Sequence, residues 1–161
     1  MPTITPCLWF DDQGEQAAQL YTSLVPNSRI TNITRFGPGG MRPEGTVMTV
    51  QFELDGREYV ALNGGPQFPQ TEAFSLQLFC ASQEEVDHYW EHLTADGGVE
   101  SQCGWLKDRF GVSWQVIPTA LGELLGDPEP ERARRATEAM LGMKKIDIAE
   151  IRRAAAGDQA G

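Results

Sequence analysis

At 161 residues the chain is long enough for one domain that buries about 70% of its unfolded surface. A hydrophobic share of 40% and a charged share of 22% are typical of folded globular proteins and exclude disordered and collagen-like chains. The net charge of −10 repels phosphate backbones and anionic lipid surfaces, so neither nucleic acid nor a membrane is an expected partner. The chain has no apolar run long enough to span a bilayer and no basic-apolar leader, which predicts a cytoplasmic location.

The first part of the chain predicts the order β-α-β-β-β. Asp12 is the expected N-cap of the helix, with Glu15 at the capping-box position, and Pro26 cannot continue the helix. Asp55-Gly56 predicts a tight turn between the last two strands. The predicted strands are residues 4–10, 29–36, 46–54 and 57–63.

The same order is read a second time further along. Strands are predicted at 74–80, 99–106 and 112–117, with a helix that begins after Ser82. The repetition predicts a duplicated module. After Pro118 the composition changes to helix formers with apolar stripes, which predicts C-terminal helices that pack on the sheet or on a second subunit.

Four segments carry a resemblance to a known family: ITPCLWFDD, ALNGGPQF, CGWLKDRFGVSWQVIP and MLGMKKIDI. With the doubled β-α-β-β-β order they resemble the PhnB-like branch of the vicinal oxygen chelate superfamily, which includes glyoxalase I, bleomycin resistance proteins and extradiol dioxygenases. The resemblance implies an α+β fold in a single domain, 1–161. It contains two βαβββ modules, 3–65 and 72–118, that form a curved mixed sheet, and a C-terminal helical extension, 119–156. It also implies a homodimer, with the modules paired either within one chain or across subunits.

The resemblance bears directly on metal binding. Metal-dependent relatives place His, Glu or Gln on four strands, and those positions fall here on Thr5, Ala61, Ser75 and Gln115. Hydroxyls are poor ligands and a methyl group is none, so the resemblance implies that the usual metal site is lost. No cofactor is predicted, and a divalent metal held in another way stays an open alternative. The i, i+4 pair His88 and His92 is interpreted as part of a solvated helix face, because a zinc site needs more ligands than two.

Period-two alternation along the strands predicts which side chains line the hollow of the sheet. The predicted ligand-binding residues are Thr5, Cys7, Trp9, Tyr59, Asn63, Ser75, Gln77, Phe79 and Gln115. This lining is aromatic and neutral polar, which favours an uncharged or mildly polar organic molecule. The alternative is that these groups bond to one another across a filled barrel. No catalytic residue is identified.

Three further interpretations concern single residue types. Cys7, Cys80 and Cys103 lie far apart and outside any CxxC pair, so they are expected to be small buried hydrophobic residues. Asp108 either caps the bend at 107–111 or faces the hollow, and the turn role is favoured. Trp105 is either core or cavity rim.

The predicted function is binding of a small neutral molecule without a conventional metal site, as in bleomycin resistance proteins. One alternative is a metal-dependent lyase, isomerase or dioxygenase of the superfamily. Another is the 3-demethylubiquinone methyl transfer that a name of this branch implies. GPGG, residues 37–40, does not support it, because it runs into Met-Arg-Pro-Glu instead of opening a helix. A third is an interaction module that assembles through its helical tail.

Overall fold

A computed structural model describes residues 1–157. They divide into two compact units, Met1–Gln70 and a second unit that begins at Thr71. Within the described residues the first unit contains β1 (Cys7–Phe10), α1 (Gly14–Leu24), β2 (Arg29–Arg35), β3 (Val47–Leu54) and β4 (Arg57–Asn63). The second contains β5 (Ser75–Cys80), α2 (Gln83–Thr94), β6 (Val99–Glu100), β7 (Trp105–Lys107), β8 (Ser113–Pro118), α3 (Ala120–Leu125), α4 (Pro130–Leu141) and α5 (Ile148–Ala155). The predicted α+β class, with two βαβββ modules and C-terminal helices, is confirmed.

The sheet of the first unit has the order β1-β4-β3-β2, with β1 parallel to β4 and the other pairs antiparallel. Helix α1 packs on one face of this sheet, where the ring of Tyr21 lies 6.3 Å from that of Phe52. Asp55 and Gly56 both have positive φ, the conformation that a two-residue turn needs between β3 and β4. The turn therefore forms where the sequence predicts it.

The start of α1 differs from the prediction. Gln13, not Asp12, occupies the N-cap position. The first free amide, Gly14 N, donates instead to Asn63 Oδ1 at 2.7 Å, and Asn63 Nδ2 donates to the carbonyl of Val47. A side chain 49 residues away thus supplies the acceptor that a helix N-terminus requires, so the capping role predicted for Asp12 is wrong.

The sheet of the second unit repeats the pattern as β5-β8-β7-β6, with β5 parallel to β8. Helix α2 begins as predicted, because Ser82 Oγ accepts from the backbone amide of Glu85 and Glu85 Oε2 accepts from that of Ala81. Its buried side chains Val86, Trp90 and Leu93 face this sheet's core.

The predicted strand 99–106 is interrupted. Residues 101–104 form a bend in which Cys103 and Gly104 take positive φ, and only β6 and β7 on either side are extended. The amide of Cys103 donates to the carbonyl of Met143 and that of Gly104 to the carbonyl of Lys144. Because these amides bond to the C-terminal segment, they do not take part in a strand ladder.

The C-terminal helices pack on the second unit. Their core consists of Leu121, Ala136, Met143, Ile146, Ile151 and Ala155, with Ile117 of β8 against it. The side chain of Gln83 in α2 donates to the carbonyl of Ile146 and accepts from the amide of Ile148. The sequence predicts that these helices pack on the sheet or on a second subunit, and the structure shows them packed on the chain's own second unit. None of the helices within the described residues has the length and apolar character needed to cross a membrane.

Candidate ligand-binding faces

Each sheet has a face covered by its helix and a face turned away from it, which we call the open face. Strand register fixes which side chains share a face, because directly paired residues point to the same side. In the first unit Val50 and Phe52, both buried against α1, pair with Ala61 and Tyr59. The residues between them therefore form the N-terminal open face.

Two rows of side chains cross the N-terminal open face. One row runs through Cys7, Val60, Gln51 and Asn32, and the other through Trp9, Leu62, Thr49 and Thr34. The hydroxyls of Thr34 and Thr49 lie 2.5 Å apart. The structure thus brings together Cys7 and Trp9 of the predicted set with six side chains of β2, β3 and β4 that the sequence reading missed. Thr5 precedes β1 and is exposed.

The predicted facing of β4 is wrong by one residue. Tyr59, Ala61 and Asn63 lie on the helix face: Tyr59 stacks on Phe52 with ring centroids 5.5 Å apart, and Asn63 caps α1. The physical reason is that a two-residue turn pairs Leu54 with Arg57 and hence Phe52 with Tyr59, so both members of each pair must share the helix side.

Trp9 is held by the segment that follows β4. Its indole N–H donates to the carbonyl of Gly65 at 2.9 Å, and its ring meets that of Phe68 edge-on at 4.9 Å. A Cβ on Gly64 would lie 2.3 Å from the indole ring, so only glycine permits this approach. The indole N–H of Trp9 therefore already has a hydrogen-bond acceptor within the first unit.

The C-terminal open face is more polar. Its first row contains Ser75, Ser113, Lys107 and Val99, its second Gln77, Gln115 and Trp105, and its third Phe79 and Ile117. The structure places all four predicted residues of this unit, Ser75, Gln77, Phe79 and Gln115, on this face, where the alternation predicts them. Their role in binding a ligand stays a prediction.

A chain of side-chain hydrogen bonds joins the middle of this face. Gln77 Nε2 donates to Gln115 Oε1 at 3.3 Å, and Gln115 Nε2 donates to Ser75 Oγ at 2.9 Å. Each amide can form four hydrogen bonds and a hydroxyl three, so both donors and acceptors remain for a further molecule. Phe79 beside them is 61% exposed.

Asp108 caps the bend at residues 107–111, which is the role that the sequence favours. It is 2% exposed, and its carboxylate accepts hydrogen bonds from the amides of Phe110 and Val112 and from the indole N–H of Trp114. Gly111 has a φ of 83°, as a reversal of the chain requires. The turn holds β7 and β8 in register, so it fixes the cross-strand pairs of the open face.

A cavity of about 250 Å³ opens beside the first row of this face. Trp105, Lys107 and Ser113 line it from the sheet, which assigns Trp105 to the rim of a cavity and not to the core. Glu72, in the segment before β5, lines it too and forms an ion pair with Lys107. Ser113 is 1% exposed, and its Oγ has no hydrogen-bond partner among residues 1–157.

The first unit has a larger cavity of about 490 Å³ between the start of α1 and the loop before β3. Asp12 and Glu15 line it together with Arg35 and Arg42. The guanidinium of Arg42 is paired with Asp11, and that of Arg35 donates to the carbonyl of Gly45. Charges of both signs thus line this cavity, and both of its guanidinium groups already have acceptors in the first unit.

The residues at the metal positions implied by the resemblance do not fit a divalent cation. Ala61 presents a methyl group and lies on the helix face. The oxygen of Gln115 accepts from Gln77 and the hydroxyl of Ser75 accepts from Gln115, while Thr5 offers only a second hydroxyl. Within the described part of the chain, no three His, Cys, Asp or Glu side chains come together in a group that could hold a metal ion.

The cysteines fall into three environments. Cys80 is buried, as predicted, and burial raises its pKa to about 12. Cys7 is exposed on the N-terminal open face and Cys103 is half-buried, so the prediction of buried cysteines is wrong for these two. Partial desolvation also raises the pKa of the Cys7 thiol, which makes it a weaker nucleophile at neutral pH.

Comparison with known proteins decides the family. A family model described as 3-demethylubiquinone-9 3-methyltransferase matches residues 2–117. The chain belongs to this family. A structure described as a putative 3-demethylubiquinone-9 3-methyltransferase, PhnB protein, from Bacillus cereus is 34% identical, with a TM-score of 0.67 over 73% of this chain and 100% of that one. The predicted PhnB-like branch of the vicinal oxygen chelate superfamily is thereby confirmed.

Two further solved structures show the same fold at lower identity. Protein PA1353 from Pseudomonas aeruginosa is 21% identical, with a TM-score of 0.59 over 73% of this chain and 98% of that one. The fosfomycin resistance protein FosX from Listeria monocytogenes is 16% identical, with a TM-score of 0.51 over 76% of this chain and 97% of that one. The search of curated proteins gave no match.

Proposed function

We propose that this PhnB-like protein binds a small organic molecule against the open faces of its sheets, without a conventional metal site. The observation that carries the proposal is the connected array of Gln77, Gln115 and Ser75 on the C-terminal open face, bordered by the exposed ring of Phe79. A monomeric fold gains nothing from an exposed phenylalanine beside half-satisfied amides, whereas a ligand would cover the ring and use the remaining hydrogen-bonding capacity.

The chemistry of the array defines the kind of molecule that fits. Two primary amides and a hydroxyl offer donors and acceptors without formal charge, and Trp105 and Phe79 offer flat apolar surface at its edges. Such a lining fits a neutral molecule that carries carbonyl, hydroxyl or amide groups on an unsaturated or cyclic frame. On the N-terminal open face, Val60, Leu62 and Trp9 offer apolar contact beside the polar side chains of β2 and β3.

The loop that contains GPGG does not support methyl transfer. The GPGG segment lies in the loop between β2 and β3, where Phe36 N donates to the carbonyl of Thr46 and Gly45 N to that of Phe36. The loop therefore joins two antiparallel strands. The glycine-rich turn that holds an adenosyl cofactor leads from a strand into a helix, whereas GPGG leads into β3.

A screen of neutral organic compounds by native mass spectrometry and thermal shift tests the proposal. A bound ligand raises the melting temperature of the folded chain by mass action. Gln115→Leu removes the central amide of the array and is expected to weaken binding by roughly 3- to 10-fold for each hydrogen bond lost. Gln19→Leu, the same change on the exposed side of α1, is the matched control and should leave binding unchanged.

Two results would contradict the proposal. One is a set of ligands whose stabilisation survives both Gln115→Leu and Gln77→Leu. The other is stabilisation that appears only when a divalent metal is added, which would favour a metal-dependent enzyme of the superfamily instead.

We also propose a homodimer in a reducing compartment such as the cytoplasm. The three cysteines, all within the described residues, are free, which suits such a compartment. Large exposed apolar side chains outside the ligand-binding array, among them Phe68 and Leu141, suit a surface that a second copy covers. Sedimentation velocity across a dilution series tests the dimer, and a monomer at all concentrations would overturn it.

A further inference from the structure

The orphaned hydroxyl of Ser113 is the strongest sign of a specific ligand group. Its Oγ is buried, lines the 250 Å³ cavity and has no hydrogen-bond partner among residues 1–157. Buried polar atoms in folded proteins are nearly always bonded, and an exception calls for a partner that the protein alone does not contain. The hydroxyl can donate one hydrogen bond and accept two.

Lys107 stands directly beside this hydroxyl. Lys107 and Ser113 are cross-strand partners on β7 and β8, so their Cβ atoms lie about 5 Å apart on the same face. Trp105 lies two residues before Lys107 and contributes an aromatic surface to the same cavity. An ammonium, a hydroxyl and an indole thus converge on one small volume.

The ammonium already holds an anion. Glu72 forms an ion pair with Lys107 from the loop that precedes β5, and this pairing lowers the pKa of the Glu72 carboxyl. Both partners are substantially exposed, with 39% of the Lys107 side chain and 62% of the Glu72 side chain accessible. Such a pair contributes little stability and is easily exchanged for another carboxylate.

Glu100, the second acidic side chain that lines the cavity, does not compete with a ligand for Lys107. Glu100 Oε1 accepts the indole N–H of Trp90 at 2.7 Å, and Glu100 pairs with Leu106 on the helix side of the sheet. Its carboxylate is therefore turned away from the open face. The cation and the free hydroxyl determine what this end of the cavity recognises.

We propose that this cavity binds the carboxylate of a small planar organic acid, which takes the place of Glu72 on Lys107, accepts a hydrogen bond from Ser113 and lies against Trp105. The inference rests on the proposed function and changes its ligand class, because it adds an acid group to the otherwise neutral molecule. The acid group and its ring enter this cavity, and any further neutral part of the molecule extends over Gln115 and Gln77. A volume of about 250 Å³, below the 300 Å³ usual for drug-sized ligands, suits a single ring with its acid group.

Benzoate and benzamide form a probe pair that differs in charge and hardly in shape. Titration of the ¹⁵N-labelled full chain with each, followed by NMR, reports on the Trp105 indole N–H and the Ser113 amide. We expect benzoate to shift both signals saturably and to bind at least about tenfold more tightly than benzamide, since an acceptor that is charged forms the stronger hydrogen bonds.

Three variants separate the contributions. Lys107→Met should weaken benzoate at least about tenfold and leave benzamide nearly unchanged. Glu72→Gln should tighten benzoate about two- to fivefold, because it removes the competing carboxylate of an exposed ion pair. Arg153→Met, at an exposed cation on α5 of the same unit, is the control and should have no effect.

The outcomes distinguish this inference from the proposed function. Equal binding of benzoate and benzamide, or benzoate binding that survives Lys107→Met, overturns the carboxylate assignment while neutral ligands at Gln115 still stand. The absence of shifts from both probes, with compounds from the screen binding at Gln115, has the same meaning. Failure of every compound to bind anywhere overturns both.

Discussion

Replacement of Asp108 by asparagine tests how the turn before β8 is held together. The carboxylate is 2% exposed and accepts hydrogen bonds at both oxygens: Oδ1 from the amides of Phe110 and Val112 at 2.8 and 3.1 Å, and Oδ2 from Trp114 Nε1 at 2.9 Å. Asparagine keeps the shape and one acceptor oxygen. Its NH₂ group must then face either the indole N–H or the two amides, so a donor meets a donor.

The cost follows from what is left unsatisfied. If the amide oxygen stays at the position of Oδ1, the buried indole N–H of Trp114 loses its acceptor, which costs about 1–3 kcal/mol. The two remaining bonds change from a charged to a neutral acceptor and weaken as well. We therefore expect Asp108→Asn to lower the free energy of unfolding of the second unit by about 2–4 kcal/mol.

Urea denaturation followed by tryptophan fluorescence and far-UV circular dichroism measures this change. Asp96→Asn is the control, since this carboxylate is 76% exposed, pairs with Arg109 and should cost within about 1 kcal/mol. In a Trp114→Phe background the indole donor is gone, so Asp108→Asn should cost less than in the wild type. An equal cost in both backgrounds, or a cost below about 0.5 kcal/mol in the wild type, would refute the assignment of the indole bond.

Three further predictions concern local packing and ionisation. Gly14→Ala should destabilise the first unit by about 1–3 kcal/mol, because the new Cβ would lie 2.7 Å from Asn63 Oδ1, whereas Gly122→Ala, with open space around it, should gain up to about 1 kcal/mol in urea denaturation. Asn63→Ala should cost about 1–2 kcal/mol and Asp12→Ala less than about 0.5 kcal/mol, and the reverse order would restore Asp12 as the cap. Burial raises the folded-state pKa of Cys80 from 9.0 to about 12, so the folded chain keeps a proton that the unfolded chain releases. The free energy of unfolding should therefore fall as pH rises from 9 towards 12, and more steeply than in Cys80→Ala.

The fold follows closely from local signals in the sequence. Asp55-Gly56 and the Ser82-Glu85 capping box both form as the sequence predicts, because turn and cap chemistry act between neighbouring residues. The cap of α1 could not be found this way, since its acceptor comes from Asn63 at the end of β4. The break in the strand near Cys103 likewise depends on carbonyls about 40 residues further along the chain.

The prediction of which side chains point to the open face was correct in the second unit and wrong for β4 of the first unit. On β5 and β8 the alternation placed Ser75 and Gln115 correctly. On β4 the alternation placed Tyr59 on the wrong face. The sequence still contained the information for the correct placement, because a two-residue turn after Leu54 requires Tyr59 to share a face with Phe52. Burial of Phe52 against α1 then places Tyr59 on the helix side. Turn geometry is thus a stronger constraint on facing than alignment of strand starts.

The C-terminal helices connect stability to the candidate site. They lie beyond residues 2–117, the part that the family model matches, yet the carbonyls of Met143 and Lys144 bind the amides of Cys103 and Gly104. The next residue is Trp105, whose side chain lines the cavity of the second unit. A bend fixed from the helical tail therefore sets where β7 starts and where the indole stands. We therefore expect removal of residues 119–161 to disturb the strand that carries Trp105 and Lys107, whereas a tail that served assembly alone would leave that strand unchanged.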